Sequence, residues 1–254
     1  MICSGNILRT VASLAFIPGA LCGASFSLNP VSDAFVTTGP ANDLSGNNYG
    51  GAGALSVAAP GSAKGEFQSV LQFDLSAARN SFDASFGAGQ WNLQSVSLRL
   101  SAASPLNAIF NASAAGQFNI TWVQNDSWLE GTGTPAGPGN TGITFTSLQN
   151  SFISGSDQSV GTFSYGGATS GNVSYSLTLA SSLVSDVQNG GLMSLRLSAA
   201  NTTVSYLFDS RNFLTTSLQP LLTLTVTPIP EPASLSLLAL WSALLILKRR
   251  RGVN

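Results

Sequence analysis

Apolar residues return at every second position along most of this chain. Leu71, Phe73 and Leu75 alternate with Gln72 and Asp74, and Val96, Leu98 and Leu100 alternate with Ser97 and Arg99. The same rhythm runs through Phe118, Ile120 and Trp122, then Val173, Tyr175 and Leu177, then Met193, Leu195 and Leu197. Val204, Tyr206 and Phe208 form another row, and Leu222, Leu224 and Val226 the last. A period of two is the signature of a strand with one face in a core and one in water. Turn-forming clusters divide the rows: Gly46-Asn-Asn, Gly87-Ala-Gly89, the stretch 132–141 and Asn189-Gly-Gly191. About ten short strands between residues 25 and 227 predict an all-β antiparallel sandwich of two sheets. One segment breaks the rhythm. Leu179, Leu183, Val184 and Val187 fall at helical spacing ahead of Asn189-Gly190, which predicts one short helix over Leu179–Gln188.

Charge narrows the function. Only 8% of residues are charged and there is no histidine, against about 25% charged in an ordinary soluble domain. A helical bundle would lack the side chains to solvate its outer faces. Within 25–227 the only bases are Lys64, Arg79, Arg99, Arg196 and Arg211, outnumbered by acids. Without a basic stripe, no nucleic-acid partner is expected. Without histidine there is no Ser-His-Asp triad, imidazole shuttle or histidine metal ligand. Cys3 and Cys22 both sit near the start, so cysteine-based zinc sites are excluded. Asp43, Asn47 and Asn48 lie in an irregular loop without ligand spacing and read as turn-capping residues. No metal, no cofactor and no catalytic residue is assigned.

The two ends read as addresses. Arg9, the apolar run Val11–Ile17, the helix-breaking Pro18-Gly19 and the small residues Cys22-Gly-Ala24 form a signal peptide over 1–24, with cleavage between Ala24 and Ser25. At the other end, Pro228-Ile-Pro-Glu-Pro232 is stiff and extended. An uncharged, leucine-rich segment follows over 233–247, then Lys248, Arg249, Arg250 and Arg251. As a helix the apolar segment would span about 22 Å, short for a bilayer core of about 30 Å, and basic side chains can snorkel to extend it. The basic cluster marks a cytoplasmic end. A single C-terminal transmembrane helix is expected.

In this order the tail 228–254 resembles the PEP-CTERM sorting tail of Gram-negative bacteria, with Pro230, Glu231 and Pro232 matching its motif. The resemblance implies a protein held transiently in the inner membrane, cut by an exosortase-type enzyme, and passed to the cell surface or exopolysaccharide matrix.

The body also carries a resemblance. Asp33-Ala-Phe-Val36, Asn47-Asn-Tyr-Gly50, Leu71-Gln-Phe-Asp-Leu-Ser76, Ser95-Val-Ser-Leu-Arg-Leu100, Trp128-Leu-Glu-Gly-Thr132 and Phe208-Asp-Ser-Arg211 follow one another in the order of a DNRLRE-type domain. Phe145 departs from it where many members carry Trp, as does the long 132–141 loop. The resemblance implies a jelly-roll-like sandwich over 25–227 and makes contact with polysaccharide an expectation.

Residue by residue, Glu130 and Arg211 are expected to form a structural pair bracing the sandwich. Tyr49, Trp91, Trp128 and Tyr165 stand beside Gly or Asn at loop or strand ends, where exposed rings can stack on sugars. Covering the sandwich ends is the competing role for all four, and Trp128 also reads as an anchor for its loop. Two functions compete. One is a non-enzymatic surface or matrix protein; the other is a polysaccharide-active enzyme using an Asp/Glu pair, for which Asp126 and Glu130 are the nearest candidates.

Overall fold

The computed structural model describes residues 22–103, 115–166 and 171–230. Most of the expected signal peptide, Glu231, Pro232, the apolar segment 233–247 and Lys248, Arg249, Arg250 and Arg251 lie outside the described residues. Among the described residues no helix is long and apolar enough to cross a membrane.

Among the described residues eleven strands form two antiparallel sheets. They are β1 (Ala24–Leu28), β2 (Ser32–Thr37), β3 (Ala54–Ala58), β4 (Phe67–Asp74), β5 (Trp91–Ser101) and β6 (Gly116–Val123). After these come β7 (Gln158–Tyr165), β8 (Asn172–Leu177), β9 (Leu192–Ala199), β10 (Ser205–Asp209) and β11 (Leu221–Pro228). The smaller sheet runs β1-β11-β5-β8; the larger runs β10-β3-β4-β9-β6-β7, with β2 also on β4. The pairing is nested: β1 with β11, β4 with β9, β5 with β8 and β6 with β7. It is stitched together where β11 meets β5 and β9 meets β6.

Alternation in sequence becomes the core between the sheets. Val96, Leu98 and Leu100 of β5 and Leu222, Leu224 and Val226 of β11 face Leu71 and Phe73 of β4, Ile120 of β6 and Leu195 and Leu197 of β9, all fully buried. β2 is different: every residue from Asp33 to Thr37 is buried. Its Phe35 stacks on Tyr49 on one side, while Ala34 and Val36 lie under a cap formed by Trp128, Ile143 and Leu148.

The expectation of one short helix is corrected. Among the described residues there are three α-helical segments, α1 (Ser76–Phe86), the single turn α2 (Phe145–Ser147), which runs on into a π-helical turn (Leu148–Phe152), and α3 (Ser181–Asn189), with a 3₁₀ turn at Thr216–Leu218. α3 occupies the segment expected to be helical and stops at Gly190, whose φ of 69° suits glycine. α1 was not apparent because its inward face is small, with only Ala78 and Phe82 buried. Asp74 Oδ1 accepts from Ser76 N–H at its start, and Phe82 packs on Trp91 and Phe26.

β11 is the test of this architecture, being the central strand between β1 and β5. Leu224→Ala should cost about 2–5 kcal/mol, read as a lower urea midpoint with an unchanged m-value.

Candidate functional site

The four aromatic residues expected to meet sugars are buried, and the expectation of exposed rings is corrected. Tyr49, Trp128 and Tyr165 are each 4% exposed and Trp91 is 3%. Trp91 donates its indole N–H to Asp83 Oδ1 at 2.8 Å and packs on Phe82. Trp128 donates to Ser194 Oγ at 2.9 Å beneath the cap. Tyr49 lies parallel to Phe35 with centroids 4.6 Å apart, and Tyr165 packs edge-on against Tyr206 at 4.3 Å. Neighbouring Gly and Asn mark chain reversals correctly. Those reversals fold back over the sheets, so the rings turn inward.

Glu130 and Arg211 are brought together. Arg211 Nη1 lies 3.6 Å from Glu130 Oε2, both side chains partly shielded. Around them the structure adds residues the sequence did not single out. Glu130 Oε1 accepts from Asp33 N–H and from Asn212 Nδ2, each at 3.2 Å. Asp33 is 1% exposed; its Oδ2 accepts Arg211 N–H at 2.7 Å, while Oδ1 is buried without a partner. Burial therefore pushes the Asp33 carboxyl up to about 7, with the Arg211 amide pulling the other way and the Glu130 charge adding to the rise.

Asn48 holds the adjoining loops. It is completely buried, and its Nδ2 donates to Glu130 O at 2.7 Å and Ile143 O at 2.8 Å. Its Oδ1 accepts from Gly50 N–H at 3.2 Å and Gly133 N–H at 3.1 Å. Backbone bonds with Gly139 in both directions complete the joint. A side chain at Gly133 would strike Asn48 O and Gly139 N, so glycine there is required by close approach. The long 132–141 loop is thus fastened by one asparagine. The turn-capping role expected of Asn48 covers its bond from Gly50 N–H, but its burial and its reach to Glu130, Ile143 and Gly133 were not readable from sequence.

Asp126 and Glu130 belong to separate groups. Asp126 bonds Ser194 and faces Asp186, and burial raises its pKa to about 6, whereas Glu130 belongs to the Arg211 cluster. Ala24 and Ser25 open β1, paired with Val226 and Thr225. Pro230 is exposed just past the end of β11. Among the described residues no group of three or more His, Cys, Asp or Glu side chains is arranged to hold a metal. No family model and no curated protein matches the chain.

Two outcomes are expected. Asn48→Ala strands two carbonyls and two amides and should cost at least about 2 kcal/mol, measured by chemical denaturation. The second concerns pH. Asp33 at about 7, and Asp126 and Asp209 at about 6, all raised by burial, bind protons more tightly folded than unfolded. Their contribution to stability should be fully present below the ordinary carboxyl range and be lost as pH rises from about 4 to about 7. Asp33→Asn should flatten the upper part of that fall; a melting temperature that climbs over this range would contradict the assignment.

Proposed function

We propose that the protein is an exported, non-enzymatic component of the cell surface or exopolysaccharide matrix. A PEP-CTERM-type tail would deliver it through a transient stay in the inner membrane, and an exosortase-type enzyme would cut that tail. The observation that carries this reading is the fixed order of Pro230-Glu231-Pro232, an uncharged leucine-rich segment and Lys248 to Arg251. It is supported by where the body ends. β11 pairs as far as Pro228, opposite Trp91, and Ile229 N–H bonds Gln90 O. The motif therefore begins two residues after the last ladder residue, and a cut there spares every core strand.

The body is read as a jelly roll of the DNRLRE type, and the nested strand order supports this. Taking β1, β4, β5, β6, β7, β8, β9 and β11 as eight strands, first pairs with last, second with seventh, third with sixth and fourth with fifth, as two interlocked Greek keys require. β2, β3 and β10 are then additions at one side of the larger sheet. Contact with polysaccharide completes the proposal. The body's low charge and hydroxyl-rich faces suit a ligand that offers hydroxyls instead of ions.

Surface-extracted protein should have lost everything beyond the Pro-Glu-Pro motif, and at its start everything before Ser25. Intact mass spectrometry decides this: recovered surface protein that still contains Arg251 removes the sorting half of the proposal.

A further inference from the structure

Where β11 ends, the body is hollowed. A cleft of about 300 Å³ opens between α1, α3 and the start of β5, walled by Arg79, Asp83, Trp91, Asn92, Gln188 and Ile229. Ile229 directly follows the last ladder pair, and its N–H donates to Gln90 O at 2.9 Å. The chain is therefore pinned at the rim of the cleft at the point where it leaves the body. The volume is at the small end of those that hold ligands. It offers room for a short piece of chain and none for a folded partner.

Arg79 is oriented at this cleft without being used up. Its stem lies over Gly190, where an added Cβ would come within 2.7 Å of Arg79 Cδ. Nη1 donates to Asn189 O at 3.0 Å, and Nε lies 3.4 Å from Asp83 Oδ2. The other Asp83 oxygen accepts the Trp91 indole N–H at 2.8 Å, so this carboxylate is engaged on both sides. A guanidinium carries five N–H donors in a planar fork. Among the described residues Arg79 Nη2 donates to nothing. Asn92 and Gln188 stand exposed beside it and bring further amide donors. The cleft is thus rich in donors on an accessible wall and short of an acceptor.

An acceptor is tethered next to it. Glu231 follows Ile229 by two residues, and two residues span at most about 7 Å. It is the single charge between Pro228 and Leu247, and Arg79 is the single cation of the cleft wall. Prolines on both sides of Glu231 restrict the backbone, so little conformational freedom is lost when the segment is laid against a surface. We infer that the cleft seats Pro230-Glu231-Pro232 of the same chain, with the Glu231 carboxylate on the open edge of Arg79 and the proline rings against Ile229. An anion arriving from solution would meet Asp83 as well and be repelled. A tethered one is present at about millimolar effective concentration, which suffices to populate a weak contact. The motif is thereby held against the body, and an enzyme that cuts the tail must first lift it out. The inference goes beyond the sorting reading and rests on it only for what the motif is used for.

The test uses the full chain in detergent micelles with no processing enzyme present, so its outcome is separate from that of the sorting reading. The chain has three glutamates, Glu66, Glu130 and Glu231. Carbon-13-labelled glutamate therefore gives three carboxyl signals by NMR, and Glu231→Gln identifies the one that matters. Glu231 should titrate about half a pH unit or more below its value in a free peptide spanning the motif. Arg79→Gln, which removes the charge, should return it to the peptide value. In that variant a proline-specific endopeptidase should cut after Pro230 about threefold faster than in wild type, because cutting follows the undocked population. Glu231 titrating alike in the peptide, wild type and Arg79→Gln would overturn the docking. The comparison of peptide with wild type decides this even if Arg79→Gln fails to fold. A lowered Glu231 together with equal cutting in wild type and variant would overturn the shielding of the motif.

Discussion

β11 enters the sandwich between β1 and β5, and the rest of the fold depends on that insertion. Its Leu222, Leu224 and Val226 supply the middle of the smaller sheet's inner face. Without it, β1 has no partner and β5 keeps only β8. The strand nearest the C-terminal tail therefore closes a structure whose first strand begins at Ala24. Pairings between distant parts of a chain form slowly, because loop entropy is lost before contacts repay it. A body built this way completes its core only when its last segment is available, which is also the segment that leads to Pro230.

With so few charges, the molecule solvates its faces with hydroxyls. On the smaller sheet Ser25, Thr225 and Ser95 lie in one cross-strand row, and Ser27, Thr223, Ser97 and Ser176 in the next. Ser25 bonds Thr225 at 2.9 Å and Ser27 bonds Thr223 at 2.8 Å. Such pairs suit the pleated surface and leave a face on which Arg99 of β5 stands among hydroxyls. The larger sheet is treated unequally: one part is roofed by Trp128, Ile143 and Leu148, and the other is left polar.

The few ions that remain are placed where loops must be held. Glu130 joins Arg211, Asn212 and Asp33, so that three separated segments meet at one carboxylate. Asn48 does the same for backbone groups, using its whole amide. These joints carry loops that have too little apolar surface to pack by themselves. They also explain the density of glycine nearby, since backbones must approach closely for one side chain to reach them all.

The alternating rows determined the two-sheet fold from sequence alone, because the face on which a strand residue points is settled by its immediate neighbours in the chain. Composition likewise excluded histidine chemistry and helical bundles, and the helix near Leu183 was visible through its spacing. Tertiary structure decided the rest. Tyr49, Trp91, Trp128 and Tyr165 became core residues because distant segments fold over them, and no local pattern records what lies above a ring. Glu130 and Arg211 could be suspected as partners, but Asp33, Asn48 and Asn212 join them only through loop geometry. In the sequence Arg196 is one more polar residue in an alternating strand, and only the packing of sheet and cap half-buries it and brings Asp157 and Glu66 near its charge.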